Sequence, residues 1–149
     1  MHRILFVCHG NICRSPMAEM VMKHLVKQAG REKDFFIESA ACRTDEIGNG
    51  MHYGTVNKLR QMNVPFTEHR ARLITADDYS DYDLIIAMDE ENMYDLNRKL
   101  GQDTDNKYHK LLEYAGKTRD VADPWYTGNF DATWNDVVEG CQGLLKLLK

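Results

Sequence analysis

One junction near the start of the chain constrains the fold more than any other feature. Arg3–Cys8 (Arg-Ile-Leu-Phe-Val-Cys) is a continuous apolar run, the pattern of a parallel strand buried on both faces. Ten residues later Ala18 begins a series, with Val21, Met22, Leu25, Val26 and Ala29, that recurs at helical spacing, with Gly30 beyond it as a stop. A buried strand feeding an amphipathic helix across a short loop is the opening of a βα unit. The alternation then continues. Phe36–Ala41 reads as a second strand, residues from about His52 to Met62 as a helix with a thin apolar face, and Asp83–Met88 as another buried strand. Asp89 reads as the N-cap of a helix with Glu90 and Glu91 in its first turn and Arg98 and Lys99 in its last, an order that suits the helix dipole. Tyr108–Leu112 reads as a last strand, and Trp134, Val137, Val138, Cys141, Leu144, Leu145 and Leu148 mark a C-terminal helix. Only Gly116–Asn129 lacks clear periodicity. The pattern predicts an α/β fold with a mainly parallel sheet.

Size and charge narrow the function. The 149 residues, 1–149, are expected to form a single domain. Nineteen basic against twenty-three acidic residues leave a net charge of −4, which argues against a non-specific nucleic-acid binder. A local positive pocket for a small anion is not excluded by that balance. The run Ile4–Cys8 is far shorter than the ~20 residues of a membrane-spanning helix and too short for the core of a secretory signal. The expected location is therefore the cytoplasm. The four cysteines, Cys8, Cys13, Cys42 and Cys141, include no Cys-x-x-Cys pair, so no zinc site is expected. They are either buried packing thiols or include a reactive one.

In open parallel sheets ligands bind beyond the carboxyl ends of the strands, which directs attention to the loop Cys8-His9-Gly10-Asn11-Ile12-Cys13-Arg14-Ser15, followed by Pro16. Gly10 and Asn11 tolerate positive φ, so the chain can wind into a tight ring whose backbone N–H groups point inward as an anion nest. Ser15 is the expected N-cap and Pro16 the expected first helical residue, which aims the positive helix pole at the same spot. Arg14 adds a planar two-pronged donor suited to phosphate oxygens. Cys8 sits at the centre of this field, where a thiolate would be stabilised and become a nucleophile. A cysteine at a strand end is by itself an ordinary packing residue; the surrounding Gly-Asn turn, Arg14, Ser15 and Pro16 make the catalytic reading the stronger one. Read from the residues alone, Asp123-Pro124 is better explained by turn chemistry than by a functional loop. Trp125 and Tyr126 suit either a core or a pocket rim.

The segment VCHGNICRSPMAE, Val7 to Glu19, resembles the phosphate-binding loop of the low-molecular-weight protein tyrosine phosphatases. Ser39-Ala40-Ala41, Glu46-Ile47-Gly48-Asn49, His69-x-Ala71-Arg72, Met88-Asp89-Glu90 and Asp123-Pro124-Trp125-Tyr126 also resemble family segments, in order, so the likeness spans nearly the whole chain. The resemblance implies a three-layer sandwich with a central four-stranded parallel sheet flanked by helices and a phosphate-binding loop after the first strand. It implies a protein-tyrosine phosphatase that hydrolyses phosphotyrosine through a phosphocysteine on Cys8. Arg14 and the amides of His9 to Ser15 would hold the phosphoryl oxygens, and Asp123 would serve as general acid and then base. By the same transfer Ser15 bonds the Cys8 sulfur, Asn11 keeps a left-handed conformation through side-chain bonds to Ser39 and His69, and Trp125 and Tyr126 wall the slot for the phosphotyrosine ring. The second loop cysteine, Cys13, would form a reversible disulfide with Cys8, placing the enzyme under redox control. Cys42 and Cys141 look structural.

Two positions depart from the family pattern. His9 stands where a hydrophobic residue is usual, along the pocket wall, and Asp45 stands where an aromatic residue usually forms the opposite lip. Asp45 either makes that lip acidic, favouring substrates with basic neighbours, or points to solvent. Two other activities share this fold. An arsenate reductase needs a downstream cysteine pair, and no cysteine lies between Cys42 and Cys141. A protein-arginine phosphatase carries Thr where this chain has Ile12, and lacks an aromatic pair like Trp125-Tyr126. The expected partners are a phosphotyrosine-containing protein or peptide and inorganic phosphate or another oxyanion in the loop, with a weak homodimer as a further expectation. No metal, cofactor, nucleic acid or membrane is expected.

Overall fold

A computed structural model describes all 149 residues. Four strands, β1 (His2–Cys8), β2 (Phe35–Ala41), β3 (Leu84–Ala87) and β4 (Tyr108–Lys110), form one sheet in the order β2-β1-β3-β4. Every pairing is parallel, with Cys8 opposite Ala41 and Val7 opposite both Ala40 and Ala87. The central strand β1 earns its place by sequence: Ile4, Leu5, Phe6 and Val7 are wholly buried, and only an unbroken apolar run tolerates helices on both faces.

The strand alternation divides the core in two. Ile4, Phe6 and Cys8 point into a cluster with Met17, Met22 and Val26 of α1 (Arg14–Gln28) and Val137, Cys141 and Leu144 of α6 (Phe130–Leu147). Leu5 and Val7 point the other way, into a cluster with Tyr82, Ile85, Ala87, Tyr108 and Leu96 of α4 (Glu90–Leu100). The result is the expected three-layer sandwich with its four-stranded parallel sheet. The remaining helices are α2 (Tyr53–Gln61), the single turn α3 (Asp78–Asp81) and the single turn α5 (Pro124–Thr127).

Several local expectations need correction. The strand predicted over Tyr108–Leu112 ends at Lys110, because Leu111–Ala115 coils into a 3-10 turn whose Leu111 and Leu112 are buried. That turn packs against α6 so tightly that a Cβ at Gly143 would lie 1.9 Å from the Tyr114 carbonyl oxygen. Part of the irregular Gly116–Asn129 stretch is helical: Asp123 caps α5 by accepting a bond from the Trp125 amide at 3.0 Å. Trp125 and Tyr126 therefore project from a helical turn. The first helix begins at Arg14 with Cys13 as its N-cap, so Ser15 is not the cap and Pro16 is the third helical residue. Ser15 cannot cap because its hydroxyl is engaged by Asn11 and Cys8. Pro16 loses nothing there, since the first four helical N–H groups have no partner within the helix.

Candidate active site

β1 delivers Cys8 to the carboxyl edge of the sheet, next to β3 on one side and β2 on the other. The loop that follows is fixed by Asn11, which is wholly buried with φ at 61°. Its side-chain amide donates to the Ser15 hydroxyl at 2.7 Å and to the Ser39 hydroxyl at 3.0 Å, while its Oδ1 accepts from the Arg72 amide at 3.3 Å. The expected bond from the Asn11 side chain to His69 is not made. The His69 ring, through Nε2, instead donates to the backbone carbonyl of Asn11 at 2.8 Å. Both N–H donors of the side chain and one lone pair of its oxygen are already engaged by Ser15, Ser39 and the Arg72 amide, and the ring reaches the backbone carbonyl instead.

Proton direction through this network can be read from the donors. The Ser39 hydroxyl donates to Oε1 of Glu19 at 2.6 Å, so its oxygen receives the Asn11 amide. The Ser15 oxygen likewise receives Asn11, which leaves its single hydrogen for Cys8 Sγ at 3.0 Å. The Ser15 backbone amide adds a second donor to that sulfur at 3.4 Å. Two donors thus converge on one sulfur, the arrangement a thiolate requires. Glu19, which starts this polarity, was not singled out among the sequence candidates. Its place in the segment Val7 to Glu19, on the α1 face that turns toward β2, is the signal that could have found it.

Arg14 is 3% exposed and anchored by two carboxylates. Its Nη1 donates to Asp89 at 2.8 Å and its Nη2 to Asp123 at 3.2 Å. Burial works to lower its pKa, but Cys8, Asp89 and Asp123 outweigh burial and raise it. The sequence marks Asp89 as a helix N-cap, and it is one, accepting from the Asn92 amide at 2.8 Å through Oδ1. Its second oxygen orients Arg14, a role invisible without the spatial neighbour. Cys13 is buried beside the loop, and burial together with the charges of Cys8 and Asp123 pushes its thiol up to about 12. Cys42 and Cys141 are buried as well, and burial raises both thiols further.

These groups open into a cavity of about 200 Å³ lined by Cys8, His9, Gly10, Ile12, Cys13, Arg14, Asp45, Glu46, Asp123, Trp125 and Tyr126. Trp125 and Tyr126 are 61% and 83% exposed, which makes them rim rather than core. The Asp45 side chain is more than half exposed, and its carboxylate bonds His9 at 2.6 Å. Ser39 and His69 stand behind the loop and outside the cavity. Every sequence-predicted site residue is thus gathered around one loop. Chemically the arrangement combines a sulfur with two donors, a buried guanidinium and a carboxylate at the same edge, beneath an aromatic rim.

Comparison with known proteins agrees with this chemistry. Residues 3–149 match the family described as low molecular weight phosphotyrosine protein phosphatase. The low molecular weight protein-tyrosine-phosphatase YfkJ of Bacillus subtilis is 40% identical over 97% of this chain and 94% of its own; its crystal structure superposes with a TM-score of 0.94. SP-PTP, the low molecular weight protein tyrosine phosphatase of Streptococcus pyogenes, is 38% identical, with a TM-score of 0.90 over 100% of this chain and 94% of its own. The Drosophila arginine phosphatase DARP is 32% identical, with a TM-score of 0.89 over 98% of this chain and 97% of its own. The loop, the sheet that carries it and the match along nearly the whole sequence lead to one conclusion: the chain belongs to the low-molecular-weight protein-tyrosine-phosphatase family.

Proposed function

We propose that this protein hydrolyses phosphotyrosine in a protein or peptide, with Cys8 as nucleophile, Arg14 and the amides of His9 to Ser15 as the phosphate cradle, and Asp123 as general acid and base. The observation that carries the reading is the pair of donors from Ser15 converging on Cys8 Sγ beside the Arg14 guanidinium. In the first step the Cys8 thiolate attacks phosphorus, the P–O bond to the tyrosine breaks, and the Asp123 carboxyl gives its proton to the departing phenolate. Phosphoryl oxygens compete with Asp123 for the Nη2 edge of Arg14, which releases the carboxyl for that transfer. Arg14 and the loop amides hold the equatorial oxygens as charge redistributes. In the second step a water attacks phosphocysteine and gives its proton to Asp123. The S–P bond breaks, the thiolate returns to the Ser15 donors, and phosphate leaves.

The aromatic rim of Trp125 and Tyr126 supports a ring-bearing substrate. The similarity to an arginine phosphatase makes phosphoarginine the second reading, and Ile12, in place of the Thr of that branch, counts against it. Phosphotyrosine, phosphoarginine and phosphoserine peptides compared side by side, with Cys8→Ser as control, decide between them. Fast phosphotyrosine turnover that the variant loses supports the proposal; preference for phosphoarginine replaces it. The same proposal includes one domain over residues 1–149, a cytoplasmic location, a reversible Cys8–Cys13 disulfide and a weak homodimer. No helix is long and apolar enough to cross a membrane.

A further inference from the structure

His9 occupies an unusual position in this cavity. It lines the wall directly after the nucleophile, and both of its ring nitrogens face carboxylates. Nε2 lies 2.6 Å from Asp45 Oδ2, in the segment after β2, and Nδ1 lies 3.2 Å from Glu91 Oε1, in the first turn of α4. A neutral imidazole has one N–H and can donate to only one of them; the protonated ring donates to both. No other cation lies within 4.0 Å of Asp45 or Glu91, and Arg43 acts on both carboxylates from further away. The nearest guanidinium, that of Arg43, is held by the buried Asp95 at 2.9 Å, and only its backbone amide reaches the His9 carbonyl. Glu46, also on the cavity wall, accepts from Asn49. Arg14, Cys8 and Asp123 line the same cavity, where Arg14 donates to Asp123 and Asp89 and Cys8 is bonded by Ser15. The cluster of His9, Asp45 and Glu91 therefore carries a charge of −1 when the ring is protonated and −2 when it is not. The side chains of Asp45 and Glu91 are more than half exposed; Asp45 lines the cavity and Glu91 joins it through His9.

We propose that His9, Asp45 and Glu91 form a proton-dependent specificity element that selects phosphotyrosine flanked by Lys or Arg, more strongly once the ring loses its proton. The inference rests on the phosphotyrosine reading above and names the substrate subclass. Although burial works to lower it, the bonds to Asp45 and Glu91 raise the His9 pKa above that of a free imidazole, so the change in rim charge comes at a correspondingly higher pH.

The test measures kcat/KM for two phosphotyrosine peptides that differ only in flanking Lys or Glu, between pH 6 and pH 9. Their ratio is taken within each enzyme preparation, which cancels any unfolded fraction and the common pH dependence of the chemistry. The wild type is expected to favour the Lys peptide by about fivefold at the alkaline end and by less at the acid end, since exposed charge pairs are each worth about a few-fold. Asp45→Asn combined with Glu91→Gln brings the ratio to about one at every pH. His9→Leu keeps both carboxylates unpaired, so its ratio is high throughout and flat with pH. An unchanged ratio in the Asp45→Asn, Glu91→Gln protein, or a pH trend that persists in His9→Leu, overturns this inference while leaving the phosphatase reading standing. Absence of turnover of either phosphotyrosine peptide overturns the phosphatase reading and this inference together.

Discussion

Asn11 offers the most demanding test of how the loop is held. It is a non-glycine residue at φ 61°, buried, with three side-chain bonds that tie the loop to Ser15, to Ser39 and to the backbone at Arg72. Replacing it with Ala removes all three. At about 1 kcal/mol net for each bond the loss is about 3 kcal/mol, and the left-handed conformation adds about 1 kcal/mol for a residue with a Cβ and no polar compensation. The expected destabilisation is therefore about 4 kcal/mol, or roughly 10 °C in Tm for a domain of this size. Asn11→Gly separates the two contributions, because glycine adopts positive φ freely while losing the same bonds. It should recover about 1 kcal/mol relative to Ala. Urea unfolding of the three proteins, with midpoints compared at constant m, measures both differences. Activity should fall in both variants, since Ser15 loses the donor that orients its hydroxyl toward Cys8. An Asn11→Ala protein that unfolds at the wild-type midpoint, or an Asn11→Gly protein less stable than Asn11→Ala, would refute the reasoning.

Three further outcomes follow from the same geometry. Asp123→Ala should cost about 10²–10⁴-fold in kcat on phosphotyrosine and much less on an aryl phosphate with an acidic leaving group, which needs no proton; equal losses on both would remove Asp123 from the acid role. Cys13, with its thiol pushed up to about 12 by burial and by the neighbouring charges of Cys8 and Asp123, should resist iodoacetamide at pH 8 in the native protein and react on unfolding, and mass spectrometry of the labelled peptides checks this. Asp136, despite burial, is held below the usual carboxylate range by Arg119, 2.8 Å away, and by the Ala122 amide. A carboxylate with a depressed folded pKa stabilises the protein above its unfolded value near ~3.9 and loses that contribution as the pH falls through the folded value. Urea midpoints should therefore drop more steeply between pH 5 and pH 2.5 in the wild type than in Asp136→Asn, and parallel curves would contradict the assignment.

The alternation of apolar runs and helical patterns was enough to find all four strands of the sheet, because a strand buried on both faces leaves an unmistakable run such as Ile4 to Val7. The gathering of Cys8, Arg14 and Asp123 around one loop was legible too, through motifs in register along the chain. What could not be read were roles that depend on a second element arriving in space. Asp89 looked like a helix cap and is also the anchor of Arg14. Glu19 carried no reading of its own, yet it orients Ser39. Ser15 was expected as a cap because Ser before Pro is good capping chemistry, yet the competing demand of Cys8 and Asn11 moved the helix start to Arg14. His69 was right as a partner of Asn11 and wrong in the atom it touches, since its bond goes to a carbonyl that only the turned backbone exposes. In each case the residue type was informative and the partner was not.

The central claim is that phosphorus passes through Cys8. Rapid quenching of the enzyme during turnover of a phosphotyrosine peptide, followed by mass spectrometry of the proteolysed protein, tests it directly. The mechanism predicts a phosphorylated peptide containing Cys8, formed before phosphate release, more abundant in Asp123→Ala with an activated aryl phosphate and absent in Cys8→Ser. Turnover that proceeds with no phosphocysteine, or with phosphate carried on another residue, would contradict it.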